Sequence, residues 1–330
     1  MTSEKKTLLR SHGSANHFLF SKTDTGRLKE VKRKEILDAN EVVRSAFPDM
    51  RSGNVFIDYA NQQLDGTAQF SAMVIRLDQV KENNDPAKLP EDNEGHVDVA
   101  GLLDRLCRKE NGLWGTLDAG LFGSFFPGKN GSDSLDLVRD FQKRLKEKTG
   151  KTVTIGAASF PTIAYKKPEI INNARKALDH ATFFGANSLV AFDDVSLNIS
   201  GDKFYEEGKR PEAINEFKLA LELDPNNANV LNSLGVCYGL QSQYDLAIAE
   251  FQKAIAIDPG EYMALYNLGL VHLLMTQRDR ALEYFLDADK INGNNFEVAF
   301  QTGKLYMETD NFEKSRPYLE RAAEDRKSVV

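Results

Sequence analysis

The chain has 330 residues, of which 41% are apolar and 28% are charged, and its formal net charge is −7 at pH 7. This composition is typical of globular proteins, and the length suffices for two domains. No apolar run approaches the 18 or so residues that a membrane span needs, and the start of the chain lacks the apolar core of a signal peptide. We therefore expect a cytoplasmic protein without a membrane span.

The negative charge is concentrated in the C-terminal part. Residues 196–330 contain 14 Lys and Arg against 22 Asp and Glu, which places a charge of −8 there and +1 in the remainder. Because nucleic-acid binding depends on clustered Lys and Arg, this distribution argues against a nucleic-acid partner. Cys107 and Cys237 have no His or Cys neighbour at metal-binding spacing, which predicts two buried free thiols, no metal site and no cofactor.

Residues 1–25 are rich in Ser, Thr, Lys and Gly, and we expect them to be poorly ordered. Their one apolar cluster is residues 17–20, His-Phe-Leu-Phe. Two interpretations of this cluster are open: a short docking motif, or a terminal segment that folds back onto its own domain, and we favour the second. Residues 26–44 are predicted to form a lead-in helix with a solvated basic face, which we favour over a helix on a membrane surface.

Residues 45–193 alternate short apolar runs with helical patterns, which is typical of an α/β fold. A hairpin is predicted where two apolar runs flank a turn at Asp118 and Gly120, because glycine accepts a positive φ and Asp bonds locally. Further along, residues 135–148 are predicted as an amphipathic helix and residues 153–159 as a strand.

In this order, the motifs resemble the GGDEF domain of bacterial diguanylate cyclases. Residues 70–85 are similar to the family's first strand and its DxDxFKxxND continuation, residues 153–158 to its TVSIGVA strand, and residues 174–187 to its ADxALYxAKxxGRN segment. The signature falls on residues 118–122, Asp-Ala-Gly-Leu-Phe, of which only the last residue matches. The resemblance implies a palm-like βαββαβ domain over 45–193, a fold that in intact members makes cyclic di-GMP from two GTP.

The resemblance also implies that catalysis is lost. Intact members hold Mg²⁺ with carboxylates on two neighbouring strands. The matching positions here are Arg76, Gly120 and Leu121, and a guanidinium group repels a cation instead of binding it. Asp78 remains on the same strand face as Arg76, but one carboxylate does not rebuild a two-metal site. We therefore expect no diguanylate cyclase activity.

A remnant of the family's nucleotide pocket is implied by the same comparison. Asn84 matches the Asn that contacts the guanine base, but Asn84 and Asp85 also suit a simple turn of the loop. Arg76 either holds a phosphate or pairs with Asp78 or Asp118 for structural reasons. The residues of this remnant pocket are Arg76, Asp78, Asn84, Asp85 and Asp118.

From residue 194 onward the sequence repeats every 34 residues. Four positions keep this step with one residue type predominating: Gly201, Gly235, Gly269 and Gly303; Ala213, Ala247, Ala281 and Ser315; Phe217, Phe251, Phe285 and Leu319; Ala220, Ala254, Ala288 and Ala322. This pattern resembles the tetratricopeptide repeat, in which small residues lie where two helices touch and an aromatic residue packs between them. We predict a four-repeat α-solenoid over 194–330, with repeats 194–227, 228–261, 262–295 and 296–329.

Tetratricopeptide arrays bind partners on the concave surface formed by the first helix of each repeat, so the resemblance implies a groove. The predicted groove residues are Asn232, Val236, Tyr266, Leu270, Leu273, Phe300, Lys304 and Met307. This lining suits a protein or peptide ligand, either an amphipathic helix or an extended apolar segment. Packing of Leu270 and Leu273 between helices is the alternative interpretation.

We therefore expect a non-enzymatic bacterial signalling adaptor, whose repeats bind a partner protein and whose degenerate GGDEF domain is an interaction module. The alternative is a receptor for a guanine nucleotide or cyclic di-GMP that uses the remnant pocket.

Overall fold

The structure is a computed structural model, and it describes residues 36–78, 93–118 and 120–328. The described residues form two compact units, which divide at residues 199 and 200. The predicted poorly ordered segment 1–25, the first part of the lead-in helix 26–44, and Asn84 and Asp85 of the remnant pocket lie outside the described residues.

The first unit contains a β-sheet with helices on both faces. Its elements in chain order are α1 (Ile36–Ala46), α2 (Gly53–Gln63), β1 (Phe70–Leu77), α3 (Asn93–Glu110), β2 (Leu113–Thr116), β3 (Phe122–Pro127), α4 (Gly131–Thr149), β4 (Val153–Phe160), α5 (Ile170–Ala181) and β5 (Leu189–Ala191), with short 3-10 turns at Lys167–Glu169 and Thr182–Phe184. From β1 to β4 the order is βαββαβ, the order that the sequence predicts.

The sheet is organised around β1, which lies at its centre. The strand order is β2-β3-β1-β4-β5, with β1 antiparallel to β3 and β4, and β5 parallel to β4. Since successive side chains of a strand point to opposite faces, Met73 and Ile75 pack with residues of α3 and α4, whereas Ala72 and Val74 pack with residues of α2 and α5. Burial on both faces explains why β1 is a continuous apolar run.

Strands β2 and β3 form the predicted hairpin, and its turn has the predicted chemistry. Gly120 has a φ of +69°, a conformation that costs glycine little. The Leu117 amide donates to the Leu121 carbonyl at 2.7 Å, and the Leu121 amide donates to the Asp118 carbonyl at 3.2 Å. The hairpin prediction is confirmed.

The second unit, together with residues 194–199 from the end of the first, consists of consecutive antiparallel helix pairs. Its elements are α6 (Asp194–Glu206), α7 (Arg210–Leu223), α8 (Ala228–Leu240), α9 (Tyr244–Ile257), α10 (Tyr262–Leu274), α11 (Arg278–Ile291), α12 (Phe296–Glu308) and α13 (Phe312–Ser328). The first helices of the pairs begin at residues 194, 228, 262 and 296, which are 34 residues apart. We call the first helix of each pair helix A and the second helix B.

Glycine on helix A and phenylalanine on helix B form the contact that sets this period. A Cβ atom added at Gly235 would lie 2.6 Å from the ring of Phe251, and one added at Gly269 would lie 2.6 Å from the ring of Phe285. Both rings are fully buried. Because protein interiors are close-packed, only glycine leaves space for the ring at this crossing.

The two cysteines are buried free thiols, as predicted. Burial raises the pKa of Cys237 to about 12 and raises that of Cys107 as well. Within the ranges that the structure describes, no helix combines the length and the hydropathy that crossing a bilayer requires.

Candidate functional site

The candidate site is the surface formed by helices A, and it is accessible on α12. Phe300, Lys304 and Met307 are exposed there, Phe300 by 41% and Met307 by 45%. Their spacing of four and three residues places them on one stripe of the helix. We call this set the α12 stripe.

The corresponding residues of α8 and α10 are buried. Asn232 and Val236 are fully buried, Tyr266 and Leu270 are 3% and 2% exposed, and Leu273 is half-buried. That these residues line a groove for a partner stays a prediction. In this structure, the accessible groove residues are the α12 stripe and part of Leu273.

Contacts between successive helices A account for part of this burial. Asn267 of α10 donates from Nδ2 to Oδ1 of Asn232 in α8 at 3.0 Å. The Tyr266 ring packs on Phe285 with 5.6 Å between the ring centroids, and its hydroxyl group hydrogen-bonds to Gln301 of α12. Burial raises the pKa of Tyr266, so the phenol stays protonated at neutral pH.

In the first unit, the carboxylate of Asp78, a residue of the predicted remnant pocket, has a structural role. Its Oδ1 accepts a hydrogen bond from the Thr154 hydroxyl at 2.6 Å, and its Oδ2 accepts one from the Asn187 amide at 2.7 Å. Both oxygens therefore join the end of β1 to β4 and to the segment that leads into β5.

Asp118 is also engaged, although not with the residue that the sequence suggests. Its Oδ1 lies 2.6 Å from Nη1 of Arg175 in α5. In the part of the chain that the structure describes, no ion pair links Arg76 to Asp78 or Asp118, so the interpretation that they pair is not confirmed. Among the described residues, no group of three or more His, Cys, Asp and Glu side chains could hold a metal ion.

The first unit also contains a cleft of about 470 Å³ between α3 and α4. Its apolar lining includes Leu102, Leu106 and Phe141, and charged side chains such as Arg105 and Arg144 border it. Arg76, Asp78 and Asp118, the described residues of the predicted remnant pocket, do not line this cleft.

A buried polar cluster that the sequence does not predict lies where β5 leads into α6. His180 Nδ1 is 3.2 Å from both Asp193 Oδ1 and Ser196 Oγ, and the Ser196 hydroxyl donates to Asp193 at 2.9 Å. A nucleophilic serine donates to histidine and needs access to substrate. Here the serine donates to the carboxylate and His180 is fully buried, so the cluster is structural.

This cluster should make stability depend on pH. Burial raises the pKa of Asp193, but hydrogen bonds with His180 and Ser196 and the charge of the imidazole outweigh it, so the pKa lies below its ordinary value of 3.8. The stabilisation is then complete above that value and is lost as the pH falls through the lower folded-state pKa. We expect Asp193→Asn to reduce the free energy of unfolding by about 1–2 kcal/mol at pH 7, and the difference from wild type to vanish in acid.

Urea unfolding at pH 7 and pH 2 measures this effect, with fluorescence of Trp114, the one tryptophan of the chain, as the reporter. Asp136→Asn is the matched control, because Asp136 is 77% exposed and pairs with Arg139 on the surface. We expect a change below about 0.5 kcal/mol for the control. An equal loss for Asp193→Asn at both pH values would contradict the proposed role of the carboxylate.

The helix pairs, their 34-residue step and the glycine–phenylalanine crossings define the C-terminal region as a tetratricopeptide-repeat solenoid. Family models for the tetratricopeptide repeat match residues 201–242, 228–261 and 264–295. Tetratricopeptide repeats bind protein or peptide partners, so the class of this region is that of protein-interaction scaffolds.

Several solved structures resemble part of the chain. MamA is 24% identical, covers 41% of this chain and 79% of its own, and has a TM-score of 0.38. PilF of Pseudomonas aeruginosa is 24% identical over 48% of this chain and 67% of its own, with a TM-score of 0.40. The first tetratricopeptide domain of Spaghetti, bound to an HSP90 peptide, is 19% identical over 36% of this chain and 94% of its own, with a TM-score of 0.35. No curated protein matches the sequence.

Proposed function

We propose that this protein is a non-enzymatic bacterial signalling adaptor that captures a segment of a partner protein on the helix-A surface of its repeats. The observation that supports this function most directly is the α12 stripe, where Phe300 and Met307 flank Lys304 on one exposed helical face. Large apolar side chains around one cation suit an amphipathic helix, or an extended apolar segment that carries an acidic residue. The proposed adaptor acts in the cytoplasm.

The first unit is proposed to be a degenerate GGDEF domain that serves as an interaction module without catalysis. Its βαββαβ order and central β1 support the family assignment. Positions that hold metal ligands in the family are Arg76, Gly120 and Leu121 in this chain. Asp78 lies nearby, but both of its oxygens accept hydrogen bonds from protein groups, which supports the loss of a magnesium site.

Peptide selection tests the adaptor function. A displayed library of random peptides is selected on the full-length protein, and the affinities of the selected peptides are then measured for variants of the α12 stripe. We expect Phe300→Asp to weaken binding at least tenfold, since it places a carboxylate in the apolar contact.

Phe312→Asp is the matched control, because Phe312 is 62% exposed but begins helix B of the same repeat. Its binding should equal that of wild type. Equal losses for both variants would contradict the assignment of the contact to the α12 stripe.

A second candidate function, a guanine-nucleotide or cyclic di-GMP receptor, is favoured by one observation. Arg76 is only partly buried. Asp78 and Asp118 bond to Thr154, Asn187 and Arg175, and among the described residues neither forms an ion pair with Arg76. A partly exposed guanidinium group without an acidic partner can bind a phosphate. Calorimetric titration with GTP and cyclic di-GMP, with and without Mg²⁺, tests the idea. Micromolar binding that is lost in Arg76→Ala would support the receptor, and no heat at millimolar ligand would refute it.

A further inference from the structure

The burial of α8 and α10 extends around the whole circumference of each helix. Ten consecutive residues are buried in each, from Val230 to Gly239 and from Met263 to His272. Because successive residues of an α-helix are rotated by about 100°, ten of them point in every direction around the axis. A helix in a two-layer solenoid should instead leave one stripe open.

The solenoid itself does not account for this complete burial. The helices that pack on α8 include α7, α9 and α10, and those that pack on α10 include α8, α9 and α11. The flanking helices A also adjoin them, since Asp202 of α6 lies near Cys237 of α8 and Gln301 of α12 hydrogen-bonds to Tyr266 of α10. All of these neighbours lie beside the helix or on its helix-B side. On α12, the side of the helix that faces away from its neighbours carries the α12 stripe, and Phe300 and Met307 are exposed there. The equivalent positions on α8 and α10 include Val236 and Leu270, which are almost completely buried.

We propose that residues 1–24 of the same chain occupy the helix-A surface of repeats 2 and 3, with the apolar cluster 17–20 as the anchor. The segment would thereby compete with a partner protein for the groove. This inference rests on the proposed function, because it requires a groove that can bind a peptide.

The chemistry of the segment fits that of the surface. Phe18, Leu19 and Phe20 are large and apolar, and they would face a lining that includes Val236 and Leu270. In addition, the buried Asn232 Nδ2 has no hydrogen-bond partner, although its Oδ1 accepts from a neighbouring helix. A backbone carbonyl of an extended peptide would satisfy this donor.

Charge selects this segment over the other long stretch outside the described residues. Residues 1–24 contain four Lys and Arg against two Asp and Glu, whereas residues 79–92 contain two Lys against four Asp and Glu. Because the region from 196 to 330 carries a charge of −8, the basic segment is attracted to it and the acidic stretch is repelled.

The connection to α1 permits contact within one chain. The 15 residues between the cluster and Ile36 can extend to about 50 Å. A ligand tethered in this way has an effective concentration of about 1 mM, so it would weaken the binding of a free peptide with a dissociation constant of about 10 μM roughly 100-fold.

Fluorescence anisotropy with a labelled peptide of residues 11–24 tests the proposal on full-length proteins. We expect the double variant Phe18→Asp, Phe20→Asp to bind the peptide about 100-fold more tightly than wild type, because its own segment no longer competes. The variant Leu8→Asp, Leu9→Asp alters an apolar pair of the same segment outside the cluster, and it should bind the peptide as weakly as wild type.

Two further substitutions, each added separately to the double variant, test whether the peptide binds on the helix-A surface. Leu273→Glu, at the half-buried edge of the surface on α10, should reduce peptide binding at least tenfold. Leu246→Glu, which alters a leucine that is 48% exposed on helix B of repeat 2, should leave it unchanged.

Equal peptide affinities of wild type and the double variant would overturn the proposal. So would a wild-type dimer that the double variant abolishes in analytical ultracentrifugation, because the occupant would then be a second copy. Peptides from the library selection separate the two hypotheses. If they bind wild type and the double variant equally, only docking of residues 1–24 fails; if none binds either protein, the proposed function fails.

Discussion

Gly156→Ala should reduce the free energy of unfolding of the first unit by about 3 kcal/mol or more, which is among the largest effects expected from adding one methyl group. Gly156 lies in β4 where α5 crosses the sheet. A Cβ atom added there would lie 2.1 Å from both the Ala174 carbonyl oxygen and the Leu178 amide nitrogen. These are backbone atoms of a buried helix, so no side-chain rotation can relieve the overlap.

Urea unfolding monitored by Trp114 fluorescence measures the effect. Gly66→Ala is the matched control, since a Cβ atom added at Gly66 has no atom within 4 Å. We expect the control to differ from wild type by less than about 0.5 kcal/mol. A Gly156→Ala protein with the stability of wild type would mean that α5 is not packed directly on β4.

Phe251→Ala should destabilise the second unit by about 3–5 kcal/mol, since it removes a fully buried ring and leaves a cavity. The Phe251 ring fills the space beside Gly235 where helices A and B of repeat 2 cross. Alanine cannot fill that space, and glycine on the opposite helix has no side chain that could move into it. The loss should extend to the neighbouring repeats, because each repeat in a solenoid is stabilised by contacts with the next.

Hydrogen exchange of the α8–α11 amides measures this loss. Leu246→Ala is the control on the same helix α9, because Leu246 is 48% exposed. Its amide protection should equal that of wild type. Faster exchange confined to α9 in Phe251→Ala would contradict the expected coupling between repeats.

The repeat array is the part of the fold that the sequence predicts best. The Gly235–Phe251 and Gly269–Phe285 crossings join residues 16 positions apart, and the pattern recurs every 34 residues. Such contacts lie within one repeat, so they leave a periodic trace in the sequence. The hairpin turn at Gly120 is predicted for a similar reason, because the required backbone conformation is local.

By contrast, the sequence pattern that would predict α2 is weak. Its buried residues are Phe56 and Ala60, a single pair four positions apart. One such pair does not establish a helical period, and the helix is recognised only from its packing on the sheet beside Val74.

For the candidate sites, the sequence by itself determined which residue types are present, and the tertiary structure decided what they contact. The residues alone show that Arg76, Gly120 and Leu121 stand where the proposed GGDEF resemblance would require carboxylates. The pairing of Asp118 with Arg175, 57 positions along the chain, and the bonds from Thr154 and Asn187 to Asp78 depend on how β1, β4 and α5 are aligned. No local pattern specifies that alignment.

The helix-A surface shows the same division. The 34-residue period determined that Val236, Leu270 and Lys304 occupy equivalent positions on successive helices. Only the tertiary structure decided that the first two are buried and the third is exposed. The physical reason is that periodicity records contacts between neighbouring repeats, which every repeat shares. Burial also depends on what covers each helix from outside its repeat, and this differs along the array.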